Sequence, residues 1–153
     1  MNHEQIAYLK FSAGCDAEEA GDFYRAIKEY LRGLEQPSED FDTRYFLNNN
    51  LGYSLIQVGE YIEAEKYCRE AISINPHRYN AHKNLGLALK GQGQYLEAAN
   101  SLQLASMMSA NPRARKHLDE LLFEHPEIKD SLNHLEVVEI KRHVIQGRSD
   151  LVH

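Results

Sequence analysis

Asn50-Leu51-Gly52-Tyr53-Ser54-Leu55 stands 34 residues before Asn84-Leu85-Gly86-Leu87-Ala88-Leu89, and the two stretches continue alike. The first runs on to Gly59-Glu60-Tyr61-Ile62-Glu63-Ala64, then Cys68, Ala71 and Asn75-Pro76. The second runs on to Gly93-Gln94-Tyr95-Leu96-Glu97-Ala98, then Leu102, Ala105 and Asn111-Pro112. Gly52/Gly86, Gly59/Gly93, Tyr61/Tyr95, Ala64/Ala98 and Ala71/Ala105 all keep the same separation of 34. A fixed period of this size marks a repeat architecture, in which neighbouring units bury each other's apolar faces.

The residue types fit that reading physically. Gly52 and Gly86 lie inside helical patterns, where glycine costs about 1 kcal/mol against alanine. Such a glycine is expected where a second helix crosses close above it, and Ala64 and Ala98 are the small partners a close crossing needs. Gly59 and Gly93 fall where the first helix of each unit should stop, in a left-handed cap. Leu51 and Leu55, like Leu85 and Leu89, are four apart and share a helix face. Pro76 closes the unit, because the residue before a proline is biased out of helix.

These residues resemble the tetratricopeptide repeat. The resemblance covers 45–111 and implies an all-α fold, a right-handed superhelical solenoid of antiparallel helix pairs. It departs at Asn48 and His82, where the family most often has a large apolar residue. Residues 3–36 read as a third, degenerate copy. There Gly14, Gly21, Phe23, Ala26 and Tyr30 each precede Gly52, Gly59, Tyr61, Ala64 and Cys68 by 38 residues. The four extra residues, around Gln36–Asp40, should lengthen the following helix by about one turn, with Ser38 or Asp40 as its cap. The expected organisation is three units at about 7–40, 45–78 and 79–112 with a capping helix at 113–124. These make a body of 1–125, and a C-terminal helix and tail occupy 126–153.

Composition narrows the class. The chain has 153 residues, 42% hydrophobic and 26% charged, as a single globular domain would. A net charge of −6 argues against a nucleic-acid binder that works by neutralising phosphates. The opening Met1-Asn2-His3-Glu4 has no basic stretch leading into an apolar run, so a signal peptide is not expected. No apolar run approaches the length of a membrane span, and no membrane insertion is expected. Cys15 and Cys68 sit in different units and form no disulfide framework; a buried reduced thiol at Cys68 and a cytoplasmic location are expected.

After Pro112, residues Ala114, His117, Leu118, Leu121 and Leu122 form a helical apolar face that suits the cap of a solenoid. His125-Pro126 breaks it. Residues 127–146 read as a further helix with a broad apolar surface, which packs on the array, lies in its groove or binds something else. Gly147-Arg148-Ser149-Asp150 reads as a frayed tail.

Chemistry is not legible. The eight histidines make no His-x-x-x-His or Glu-x-x-His pair, and there is no Cys-x-x-Cys, so neither a metal nor another cofactor is expected. Gly91-Gln92-Gly93 closes a helix and follows no strand, unlike a phosphate loop. No nucleophile, base and oxyanion set can be assembled, and the chain is not expected to be an enzyme. The resemblance instead implies a protein-interaction module whose first helices line a groove for a peptide or helix of a partner protein. On that pattern the groove receives Tyr8, Phe11 and Cys15, then Phe46, Asn49, Asn50 and Tyr53, then Lys83, Asn84, Leu87 and Lys90. Glu18 and Glu19 lie at its acidic end. Asn50 and Asn84 resemble rungs of an asparagine ladder that holds a peptide backbone; hydrogen bonds within the array are the other role open to them. Relatives that grip the C-terminal carboxylate of heat-shock chaperones carry Lys, Asn, Asn, Lys and Arg at places that fall here on Phe11, Cys15, Asn50, Asn80 and Asn84. Only Asn50 agrees, which disfavours that ligand. Two alternatives to the general module are a small secretion chaperone of this repeat type and a regulatory subunit that docks through its C-terminal helix. The oligomeric state is open.

Overall fold

A computed structural model of the chain describes residues 1–133. The expected tail and most of the expected 127–146 helix lie outside the described residues. Among the described residues the fold is all-helical, with eight α-helices, one 3-10 turn and no strand. The chain divides into two compact units, Met1–Pro76 and His77–His153.

The first unit holds α1 (His3–Glu19), α2 (Phe23–Leu34), α3 (Phe41–Gln57) and α4 (Tyr61–Ile74). Asn2 starts α1 with a reciprocal cap: its side chain accepts from the Gln5 amide at 2.8 Å and its own amide donates to Gln5 Oε1 at 3.0 Å. Asp22 caps α2 and Asp40 caps α3 through the amides of Arg25 and Thr43. Ser38 adds to the second cap by accepting from the Asp40 amide at 3.2 Å. α3 has 17 residues against 13 in α5, so the four-residue insertion does become one extra turn.

Helices pair where glycine lets them. α1 meets α2 with Gly14 under the Tyr30 ring, and a Cβ on Gly14 would sit 2.2 Å from that ring. α3 meets α4 with Gly52 under Cys68, whose sulfur would lie 2.6 Å from such a Cβ, and the Ala64 carbonyl stands 3.4 Å away. Lys10 Cβ lies 3.3 Å from a Cβ built on Gly33 while Gly14 lies under Tyr30, so α1 and α2 run antiparallel. Tyr30, Cys68, Ala26, Ala64 and Ala71 are fully buried. The helix-ending glycines Gly59 and Gly93 have φ of 81° and 77°, the left-handed conformation their place requires.

The second unit repeats the crossing. α5 (Tyr79–Gly91) lies over α6 (Tyr95–Met108), with Leu102 2.6 Å and the Ala98 carbonyl 3.1 Å from a Cβ built on Gly86. Ala98, Leu102 and Ala105 are fully buried, and His82 and Asn48 are buried at their departures from the family pattern. α7 (Pro112–Glu124) starts one residue before the expected 113, with Asn111 as its cap and proline in its first turn. It packs on α6 and buries Ala114, Leu118 and Leu121, while Leu122 is half-buried. A 3-10 turn (Pro126–Ile128) follows, then α8 (Lys129–Asn133). The helix expected from Glu127 therefore begins at Lys129, because Pro126 opens a tighter turn first.

Candidate protein-binding faces

In the first unit α1 and α3 lie side by side and present aromatic rings. Tyr8 stands 6.3 Å from Phe11, and Phe11 stands 5.9 Å from Phe46, centroid to centroid. Phe46 rests edge-on against the buried Tyr45 at 5.3 Å. Tyr8 is 59% exposed, whereas Phe11 and Phe46 are half-buried. Tyr53, half-buried, meets the Phe23 ring edge-on at 6.2 Å.

Behind the rings lies a polar network. The Tyr30 hydroxyl donates to Cys15 Sγ at 3.7 Å, and Asn50 Nδ2 donates to the same sulfur at 3.7 Å and to the Tyr30 oxygen at 3.4 Å. Asn49 Nδ2 donates to Asn50 Oδ1 at 3.0 Å. The Asn50 amide thus both donates and accepts inside the unit. Ser54 Oγ donates to Glu18 Oε1 at 3.0 Å. Burial drives three pKa shifts here. It raises the Tyr30 hydroxyl far above the usual tyrosine range, against the Asn50 bond. It raises the Cys15 thiol, with Glu18 and Asp16 adding to the effect, so the thiol is protonated and a poor nucleophile. It also raises the Glu18 carboxyl, despite the Tyr30 hydroxyl beside it and the hydrogen bond from Ser54. Cys68 is a buried thiol outside any disulfide.

In the second unit α5 and α7 supply the equivalent face. Lys83, Leu87 and Lys90 are half-buried and Asn84 is 2% exposed. Lys90 Nζ pairs with Glu124 at 3.3 Å, and His117 Nδ1 lies 3.6 Å from Glu120. Burial lowers the His117 pKa, Glu120 opposes that, and Lys83, Lys90 and Lys116 push it further down. From the sequence His117 is expected on the apolar capping face of 113–124; the structure leaves it half-buried beside the lysines of α5. The sequence signal for that place is a spacing of 33 from Asn84, the same as Ala81 to Ala114 and Leu85 to Leu118. The structure therefore brings Tyr8, Phe11, Phe46 and Tyr53 onto one face of the first unit, with Asn50 half-buried and Asn49 buried behind them. Lys83, Leu87 and Lys90 share a face of the second, with Asn84 buried. Among the described residues no three His, Cys, Asp or Glu side chains converge as a metal site. No helix among them is long and apolar enough to cross a membrane.

Paired helices that cross at buried glycines with a 34-residue period define a helical-repeat protein. The family model described as "Tetratricopeptide repeat" matches residues 47–78. The fold of the chain is that of solved tetratricopeptide-repeat domains. The Arabidopsis OM64 TPR domain is 17% identical, with a TM-score of 0.71 over 78% of this chain and 97% of that one. The second TPR domain of human RPAP3, solved with an HSP70 peptide, is 23% identical, with a TM-score of 0.71 over 78% of this chain and 98% of that one. The Hsp90 co-chaperone Cns1 from Saccharomyces cerevisiae is 20% identical, with a TM-score of 0.78 over 97% of this chain and 46% of that one. A comparison with the curated proteins finds no match.

Proposed function

We propose that this chain is a non-catalytic protein-interaction module that takes peptide or helical segments of a partner protein on the faces of its first helices. The observation that carries the reading is the aromatic row Tyr8–Phe11–Phe46, which keeps ring surface open to solvent on a rigid two-helix platform. Aromatic anchors of this kind supply much of the energy of protein interfaces. Tyr8, Phe11, Phe46 and Tyr53 meet the partner in the first unit; Lys83, Leu87 and Lys90 meet it in the second. Asn49, Asn50 and Asn84 stand behind and hold the helices in register. The units correspond to helix pairs at about 7–40, 45–78 and 79–112, with α7 as cap, and the module works in the cytoplasm with both cysteines reduced. Solved relatives such as the second RPAP3 domain carry chaperone peptides. This chain has Phe11, Cys15, Asn80 and Asn84 where the chaperone-tail readers have Lys, Asn, Lys and Arg, so a different sequence is its ligand.

The test is affinity purification of the tagged chain from its native cell beside Phe46→Ala and Lys90→Glu. The wild type should retain a protein that both variants lose while their melting curves stay close to wild type. Identical recovery by all three would overturn the assignment of these faces.

A further inference from the structure

A slot of about 480 Å³ opens beside the aromatic row, between the first turns of α1 and α3. Met1, Glu4, Tyr8 and Leu9 line one side, Asp40 and Thr43 the other. Tyr8 belongs both to the slot and to the row that continues through Phe11 to Phe46, so the two form one surface. Its floor is apolar and open: Leu9 is 48% exposed and Met1 85%. An apolar recess of this size suits one or two large side chains of a docked segment.

The side-chain charges that line it have one sign. Glu4 and Asp40 are the two carboxylates among its lining residues. Glu4 has no ion-pair partner among the described residues. Asp40 is held ionised by hydrogen bonds from the Thr43 hydroxyl and amide. The cations of the two helices are engaged elsewhere. Lys10, the sole Lys or Arg of α1, pairs with Glu29 at 3.3 Å, and Arg44, the sole one of α3, pairs with Glu70 at 3.9 Å. Residues 1–76 hold 14 Asp and Glu against 7 Lys and Arg, a formal −7, whereas 77–153 hold 9 against 10. The whole negative excess of the chain therefore sits in the unit that carries the slot. Such a field repels acidic peptides, and it repels the same face of a second copy.

We infer that this slot docks a basic amphipathic segment of a partner protein, whose large apolar side chain enters between Tyr8 and Leu9 while flanking Lys or Arg side chains meet Glu4 and Asp40. The inference rests on the interaction-module reading and gives that reading a ligand chemistry.

A random peptide library displayed on phage, panned against the full chain, tests it. Recovered peptides are then synthesised and titrated by fluorescence anisotropy. They should combine Leu, Phe or Met with neighbouring Lys or Arg. Leu9→Asp and Glu4→Lys should each weaken them about tenfold or more, as loss of an interface anchor does. Glu63→Lys, the same charge reversal on the exposed first turn of α4, should change affinity less than about twofold. Raising salt from roughly 50 to 500 mM should weaken binding further. Melting curves establish that the variants fold. Recovered peptides that are acidic or uncharged, or that respond equally to Glu63→Lys, overturn this inference and leave the interaction module standing. A library without any binder overturns both. Sedimentation that shows a wild-type dimer dissolved by Leu9→Asp makes a second copy the occupant and overturns the partner assignment.

Discussion

Ala98 has no room to grow. It is fully buried, its carbonyl lies 3.1 Å from where a Cβ on Gly86 would stand, and Leu102 fills the next turn. Ala98→Leu should overpack the crossing and cost about 1–3 kcal/mol, read as a lowered melting temperature. An unchanged melt would mean that α6 does not cross α5 there. This residue was legible in the sequence, because close backbone approach permits so few side chains that its trace survives as Gly and Ala at a fixed period. The Cys15–Tyr30–Asn50 network was not. Its members are 15, 20 and 35 residues apart in sequence, separations that match no repeat period, so only the packed unit brings them together. Glu18 belongs with them. Its carboxyl is raised by burial, which means that the charged form is disfavoured in the fold. Glu18→Gln keeps an acceptor for Ser54 and removes the charge. The variant should melt above wild type at neutral pH, and the difference should vanish below the ordinary carboxyl pKa of about 4.5.

Helix α7 shows the same split between legible and hidden at the scale of elements. Its apolar face was readable from the spacing of Ala114, Leu118 and Leu121, and those three are the side chains it buries. The extra turn of α3 was readable too, since four inserted residues ahead of a capping Asp40 have few other places to go. The 3-10 turn at Pro126–Ile128 was not, because a proline announces a break without fixing the turn that follows it. If α7 closes the apolar side of α6, Leu121→Ala should cost about 2–5 kcal/mol, the range for a fully buried leucine. A chain ended after Asn111 should lose more than that and associate through the bared face, visible as an earlier, concentration-dependent elution in size-exclusion chromatography. A truncated chain that stays monomeric with an unchanged melt would remove α7 from the stability of the unit.

Across the whole molecule, the two units should answer acidification in opposite directions. The binding chemistry was only partly legible at this scale. The aromatics at 8, 11 and 46 stand out, but which of them keep ring surface exposed depends on how α1 and α3 pack. The pH response depends in the same way on burial. Glu18, facing Tyr30, Ser54 and Cys15, has a carboxyl pKa raised in the folded chain. Between neutrality and about pH 4.5 the native state therefore binds more protons there than the unfolded chain, and its stability rises as pH falls. Asp40 is lowered, so its contribution is lost only at pH values below its ordinary 3.8. His117, facing Glu120 and Lys116 on α7 and Lys83 and Lys90 on α5, is shifted down. The unfolded chain takes that proton first, so the second unit loses stability as pH drops through about 6.5. Hydrogen–deuterium exchange at about pH 7 and about pH 5, corrected for intrinsic rates, resolves the two. Amide protection should fall in α5–α7 and hold or rise in α1–α3. His117→Gln should flatten the first response and Glu18→Gln the second. Parallel loss of protection in both units, insensitive to either substitution, would show that these two groups do not set the acid response of the chain.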